Sequence, residues 1–269
     1  MLSWSINLFR IRGIQLALHS SFVLLLGWFA YEGYRDGGVN GMAWSTATTL
    51  AFFTCVVLHE LGHSFTGMRF GVHVRRILLM PIGGMAQFDS IPRKPRQEIL
   101  MTIAGPAVNF VIAGLLWLVV DYPDGGDLAG SPASLADLGR YLLAANLVMG
   151  LFNLLPIFPM DGGRILRAVL ATRLPYLRAT AVAVTIGKVL AIIAAVITLY
   201  LGSYLATAVF TFIFIAGDNE YRMIRRQEEA QAHWEEMMRH LSRPRPVEPP
   251  FLDQPPLLPP KAPGGELGP

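Results

Sequence analysis

Six apolar runs, at residues 16–31, 44–70, 99–120, 138–155, 179–201 and 203–217, constrain this chain more than any other feature. Most approach or exceed the roughly 20 residues that a membrane-spanning helix needs. In hydrocarbon every backbone N–H and C=O must be paired within the protein, so such runs are read as helices. Composition agrees: 53% of the residues are hydrophobic and 15% charged, against roughly 25% charged in soluble domains. The expected fold is an all-α polytopic membrane protein with about six transmembrane helices. Residues 71–90 break the pattern. They are β-branched in places and carry Pro81 and the Gly83-Gly84 pair, so they read as a small membrane-associated β-hairpin between helices 2 and 3.

Charge distribution orients the spans, because cytoplasmic loops are enriched in Lys and Arg. With the N-terminus inside, Arg10 and Arg12 fall on the cytoplasmic side. The cluster from Arg69 to Arg96 does too, as do Arg164, Arg167, Arg173 and Arg178, and then Arg222, Arg225 and Arg226. The stretch 121–137 has four aspartates and no Lys or Arg, as expected of an outer loop. Six spans with both termini in the cytoplasm fit, and the first is read as retained rather than cleaved as a signal. Lys188, inside the fifth run, is read as reaching back to the interface. The net charge of +3 gives no reason to expect nucleic acid as a partner; the lipid bilayer is one.

Beyond residue 217 the character changes. Residues 218–242 are charged and read as a cytoplasmic helix. The last 27 residues, 243–269, hold ten prolines and read as a disordered tail. The transmembrane domain is therefore placed at 1–217.

The strongest local signal is His59-Glu60-Leu61-Gly62-His63. Residues four apart share a helix face, so both imidazoles can reach one metal ion, and the Glu between them can serve as general base toward water. Zinc lowers the pKa of a water that it holds to about 7. Ionisable groups inside a spanning segment are costly and are usually functional, which weighs against two interfacial histidines. The single cysteine, Cys55, excludes a thiolate-rich site and reads as a small packing residue. A third ligand is needed. Asp161 stands out after a helix broken by Pro156, Pro159, Gly162 and Gly163, since irregular backbone at membrane depth survives only inside protein or beside a watery cavity. The second and fourth spans both run inward, which brings Asp161 to the same side as His59 and His63.

Three segments in this order, the His59–His63 motif, Gly105-Pro106-Ala107-Val108-Asn109 and Asn153…Pro156…Pro159…Asp161-Gly162, resemble the site-2 protease family of intramembrane metalloproteases. The resemblance covers residues 45–167, the catalytic core it implies. It implies one Zn2+ held by His59, His63 and Asp161, with Glu60 as catalytic base. It also implies that Asn109 and Asn153 contact substrate or the reacting carbonyl, and that Gly83 and Gly84 belong to a membrane-dipping hairpin. From the residues alone, each asparagine also fits a bond to a neighbouring helix, with the functional reading favoured, and the glycines fit a plain turn as well as a functional loop. A hairpin edge could hold an unwound substrate by strand addition. His19 reads as a packing or hydrogen-bonding residue.

The implied function is zinc-dependent cleavage of a transmembrane segment in a single-pass membrane protein, a regulatory factor or its membrane anchor, at a prokaryotic inner membrane. The chain shows neither the peptide-binding insertion nor the C-terminal nucleotide-sensing pair of some family members. Two rivals come from other classes. A metal-ion transporter would show ligands on several helices and often an internal repeat; neither is visible. An inactive scaffold is disfavoured by the intact Glu60.

Overall fold

The computed structural model describes residues 5–89, 92–120 and 132–242. The acidic part of the expected outer loop and the proline-rich tail lie outside the described residues. The order of elements is β1 (Ser5–Ile11), β2 (Ile14–His19), α1 (Ser20–Arg69), β3 (Val74–Met80), β4 (Gly83–Phe88), α2 (Pro95–Val119), α3 (Leu135–Asn153), α4 (Asp161–Leu170), α5 (Tyr176–Tyr200) and α6 (Tyr204–Ser242). Among the described residues four helices, α1, α2, α3 and α5, are long and apolar enough to cross a membrane. The protein is mostly helical and multi-pass.

The all-α expectation needs correction. The first apolar run does not begin as helix: β2 occupies Ile14–His19 and pairs in parallel with β3, Leu16 opposite Ile77. β1 and β4 complete a four-stranded sheet in the order β1-β2-β3-β4. Buried Ile14 and Leu16, with Gln15 between them less buried, gave a period-two signal too short to separate from the helical run that follows. The sheet packs on α1, where Ile14, Leu16, Val74, Ile77 and Leu79 meet Phe22, Phe53, Val56, Val57 and Leu61. His19 caps α1, its Nδ1 accepting from the Ser21 amide.

α1 is a helical hairpin. Gly37 and Gly38 leave helical geometry, Gly38 with φ +62° and ψ −146°, a conformation open almost only to glycine. The arms, residues 20–36 and 39–69, then run back along each other. The Ser45 hydroxyl donates to the Phe29 carbonyl at 2.7 Å, and Phe22 meets Phe53 edge-on at 4.6 Å. A Cβ on Gly33 would lie 2.5 Å from the Gly41 carbonyl oxygen, so the crossing depends on glycine.

The C-terminal half wraps the segment between α3 and α4. Ile157 and Met160 pack with Ala191 of α5 and Ile213 of α6. Phe158, followed by a cis peptide to Pro159, sits against Ala183 and Val184. Lys188 pairs with Asp218 and lies 5.2 Å from the Phe214 ring. A charge inside an apolar helix has found its counter-ion on the neighbouring one. Residues 218–242 are helical and belong to α6. Among the described residues, those from 226 onward form a unit of their own.

Candidate metal centre

His59 and His63 lie one turn apart on the second arm of α1, both buried. Their Nε2 atoms are 3.1 Å apart. Asp161, the first residue of α4 and also buried, places Oδ2 3.4 Å from His59 Nε2 and 3.2 Å from His63 Nε2. Two elements separated by about a hundred residues thus converge on one point.

Glycines make the convergence possible. A Cβ on Gly105 would lie 2.2 Å from His63 Nε2 and 2.9 Å from His59 Cε1, so α2 passes directly over the two rings. Gly62 makes the reciprocal approach: a Cβ there would lie 2.7 Å from the Ala104 carbonyl oxygen. At α4, a Cβ on Gly162 would strike the Leu155 carbonyl oxygen at 2.1 Å, and one on Gly163 the Phe158 nitrogen at 2.7 Å. The preceding loop folds tightly over the helix start and aims Asp161.

One turn and a half further on, Arg167 is fully buried and bonds Glu98 of α2, Nε to Oε1 at 2.9 Å. Its guanidinium also faces the rings of Phe158 at 5.3 Å and Tyr176 at 5.0 Å. Arg167, expected in a cytoplasmic loop, lies on α4 as an internal clamp between α2, α4 and α5.

The hydrogen bonds behind the histidines decide what the site can hold. His63 Nδ1 donates to the Met101 carbonyl at 2.9 Å. His59 Nδ1 donates to Asn109 Oδ1 at 2.5 Å. With the proton of each neutral ring on Nδ1, both Nε2 atoms present lone pairs. They face one another and a carboxylate oxygen, Asp161 Oδ2, that has no hydrogen-bond donor. Three unpartnered lone pairs in a buried space fit a cation. A tetrahedral zinc site with arms of 2.0–2.1 Å has ligand–ligand edges of about 3.3 Å, and the observed separations are 3.1, 3.2 and 3.4 Å. His59, His63 and Asp161 are the sole such cluster of three potential ligands among the described residues. The residues present therefore fit zinc.

The other expected site residues fall as follows. Glu60 is half-buried on the same turn, and a Cβ on Gly84 would lie 2.7 Å from its Cγ. The start of β4, an edge strand, thus abuts Glu60. Gly83 pairs with Met80 across the tight turn at φ +132°. Asn109 is fully buried and bonds His59 at Nδ1, the ring nitrogen turned away from the cluster. The reason is that α2 crosses α1 at Gly105, which carries the next turn of α2 behind the ring. Asn153, the last residue of α3, donates to the Met149 carbonyl at 3.0 Å and is not brought to the cluster by any bond. Cys55 is buried and free.

Sequence reasoning passed over Gly105 as a site residue in its own right, and it passed over Asn146, Glu98 and the Met101 carbonyl. Asn146 and Glu98 carried a usable signal, a polar group within or at the edge of an apolar helix. A backbone carbonyl carries none.

The model of peptidase family M50 matches residues 47–129 and 128–194. A zinc metalloprotease of Methanocaldococcus jannaschii is 39% identical over 223 residues, which cover 83% of this chain and 62% of that protein. The chain thus spans less than two thirds of that relative's length. A solved structure, the site-2 protease from Methanocaldococcus jannaschii, superposes with a TM-score of 0.57 at 36% identity, covering 81% of this chain and 95% of that one. By the extent of the family match, carried on the stretch that holds His59, His63 and Asp161, the chain belongs to peptidase family M50.

Proposed function

We propose that this chain is an intramembrane zinc endopeptidase that hydrolyses a peptide bond in or beside a transmembrane segment of a single-pass membrane protein, a regulatory factor or its anchor. One observation carries the reading: a buried His59–His63–Asp161 cage of bare lone pairs with a carboxylate, Glu60, on the same helical turn. One zinc ion held there supplies Lewis-acid polarisation of the scissile carbonyl and of water. Glu60 takes the proton as the water oxygen attacks the carbonyl carbon. It returns that proton to the amine nitrogen as the C–N bond breaks. The rings of His59 and His63 are held by their Nδ1 bonds, so neither needs to reorient during the reaction.

A substrate helix hides its peptide groups in its own hydrogen bonds and has to unwind before water can attack. The free edge of β4 offers a partner for the unwound stretch by strand addition, and its Gly84 end lies against Glu60. Asn109 serves His59, which leaves Asn153 as the polar side chain available to the substrate. Six crossings, with both termini on the cytoplasmic side of a prokaryotic inner membrane, are made by the two arms of α1, by α2, α3 and α5, and by the apolar start of α6.

The test is cleavage of a single-pass substrate by purified protein, with and without a chelator, by wild type and Glu60→Gln. The expected result is chelator-sensitive cleavage that falls at least about 10²-fold in the variant. Full activity in Glu60→Gln would remove the base from the mechanism, and metal flux into liposomes without cleavage would favour transport.

A further inference from the structure

Asn146, in the middle of α3, has no part in the mechanism above, yet it is fully buried in the otherwise apolar stretch 142–152. Its Nδ2 donates to the Leu142 carbonyl at 2.8 Å. Its Oδ1 accepts from Asn109 Nδ2 at 2.8 Å, and Asn109 Oδ1 accepts from His59 Nδ1 at 2.5 Å. The three bonds form one chain from a backbone carbonyl of α3, through α2, to a metal-cluster histidine of α1.

The direction of this chain is not free. A carbonyl oxygen only accepts, so the amide nitrogen of Asn146 has to face Leu142, and its oxygen has to face Asn109. That oxygen draws the Asn109 nitrogen toward itself and leaves the Asn109 oxygen for His59. An acceptor at Nδ1 holds the imidazole proton there and leaves Nε2 bare. Reversal at any link would set two acceptors or two donors against each other in a buried place. His63 needs no such relay, because the Met101 carbonyl does the same work in one step.

We infer that Asn146 is a positioning residue that sets the tautomer of His59, and through it the zinc affinity of the site, by fixing the orientation of the Asn109 amide. Without it, Asn109 turns over, its nitrogen faces Nδ1, and the imidazole proton moves to Nε2, where it blocks ligation. The inference rests on the metal-site reading but not on proteolysis, and it is tested by metal binding alone.

Zinc affinity is measured by chelator competition on the purified full chain, with cobalt substitution as a spectroscopic check on the ligand set. Asn146→Leu removes the polar link at similar volume and is expected to weaken zinc binding about 10–100-fold, as the loss of a ligand's supporting hydrogen bond does. Asn146→Asp, buried there as the neutral acid, donates its O–H to the Leu142 carbonyl and keeps an acceptor toward Asn109, and it should retain affinity within a few-fold of wild type. Thr180→Val removes a buried bond in α5 remote from the chain and should leave affinity unchanged. Wild-type affinity in Asn146→Leu would overturn the inference, and so would equal losses in the Leu and Asp variants, which would make Asn146 a packing group only. If the Leu variant fails to fold, Asn146→Asp compared with Asn109→Leu decides the matter: near-native affinity in the former and loss in the latter are required. Zinc binding that behaves as described with no cleavage of any substrate would sink the protease reading and leave this one standing.

Discussion

Gly105 shows how little room the centre leaves at the scale of single residues. Its missing side chain is the space that the His63 ring occupies, since a Cβ would lie 2.2 Å from Nε2. Gly105→Ala is therefore expected to push α2 off α1 or turn the histidine, and zinc affinity should fall by at least about 10-fold in a chelator-competition assay. Gly114, on the same helix with open space around its Cβ position, should accept alanine without that loss. The motif His59–His63 was fully legible from sequence because helical period alone puts both rings on one face. Asp161 was legible through the proline and glycine breaks around it. That Asn109 bonds a neighbouring helix was one of two readings the residues left open, and its bond to Asn146 agrees with it; its bond to His59 was not legible, because which side of a ring an asparagine occupies is set by the crossing of two helices and leaves no trace in local pattern.

Elements meet this site through two devices that sequence reading saw only in part. The first is the turn inside α1. Gly38 has a backbone conformation hostile to any side chain, so Gly38→Ala should cost about 1–3 kcal/mol and lower the midpoint of denaturant unfolding in detergent, whereas Gly27→Ala, in open helical surroundings, should not. The second is the Glu98–Arg167 pair, which ties α2 to α4 six residues beyond Asp161. Breaking a buried pair leaves one charge stranded and costs about 3–5 kcal/mol. Glu98→Ala should destabilise on that scale, and Glu98→Ala with Arg167→Met should recover much of the loss. Additive losses in the double variant would show that the pair acts through packing rather than charge. The long helices were readable here from the apolar runs, whereas the ten-residue α4 lies outside every run and was not. The N-terminal strands were not, because β2 is six residues long, passes directly into a helix, and gains its stability from β3, more than fifty residues away.

The whole molecule joins these devices at one point, since the cluster draws its groups from α1 and α4 while α2 and α3 support them. An ion bound by the folded state alone stabilises that state by mass action. Chelation is therefore expected to lower the thermal unfolding temperature of the wild-type protein, and to leave that of His63→Ala nearly unchanged; equal shifts in both would place the metal elsewhere. By itself the sequence determined a multi-pass helical protein of peptidase family M50 with a His-His-Asp cluster and a neighbouring glutamate, because span length, helical period and the cost of charge in lipid are local properties. Only the tertiary structure decided the mixed sheet on α1, the burial of Arg167, the Lys188–Asp218 pair and the amide chain behind His59. Each depends on which surfaces meet across long separations, and partners chosen by packing are invisible to a pattern read along the chain.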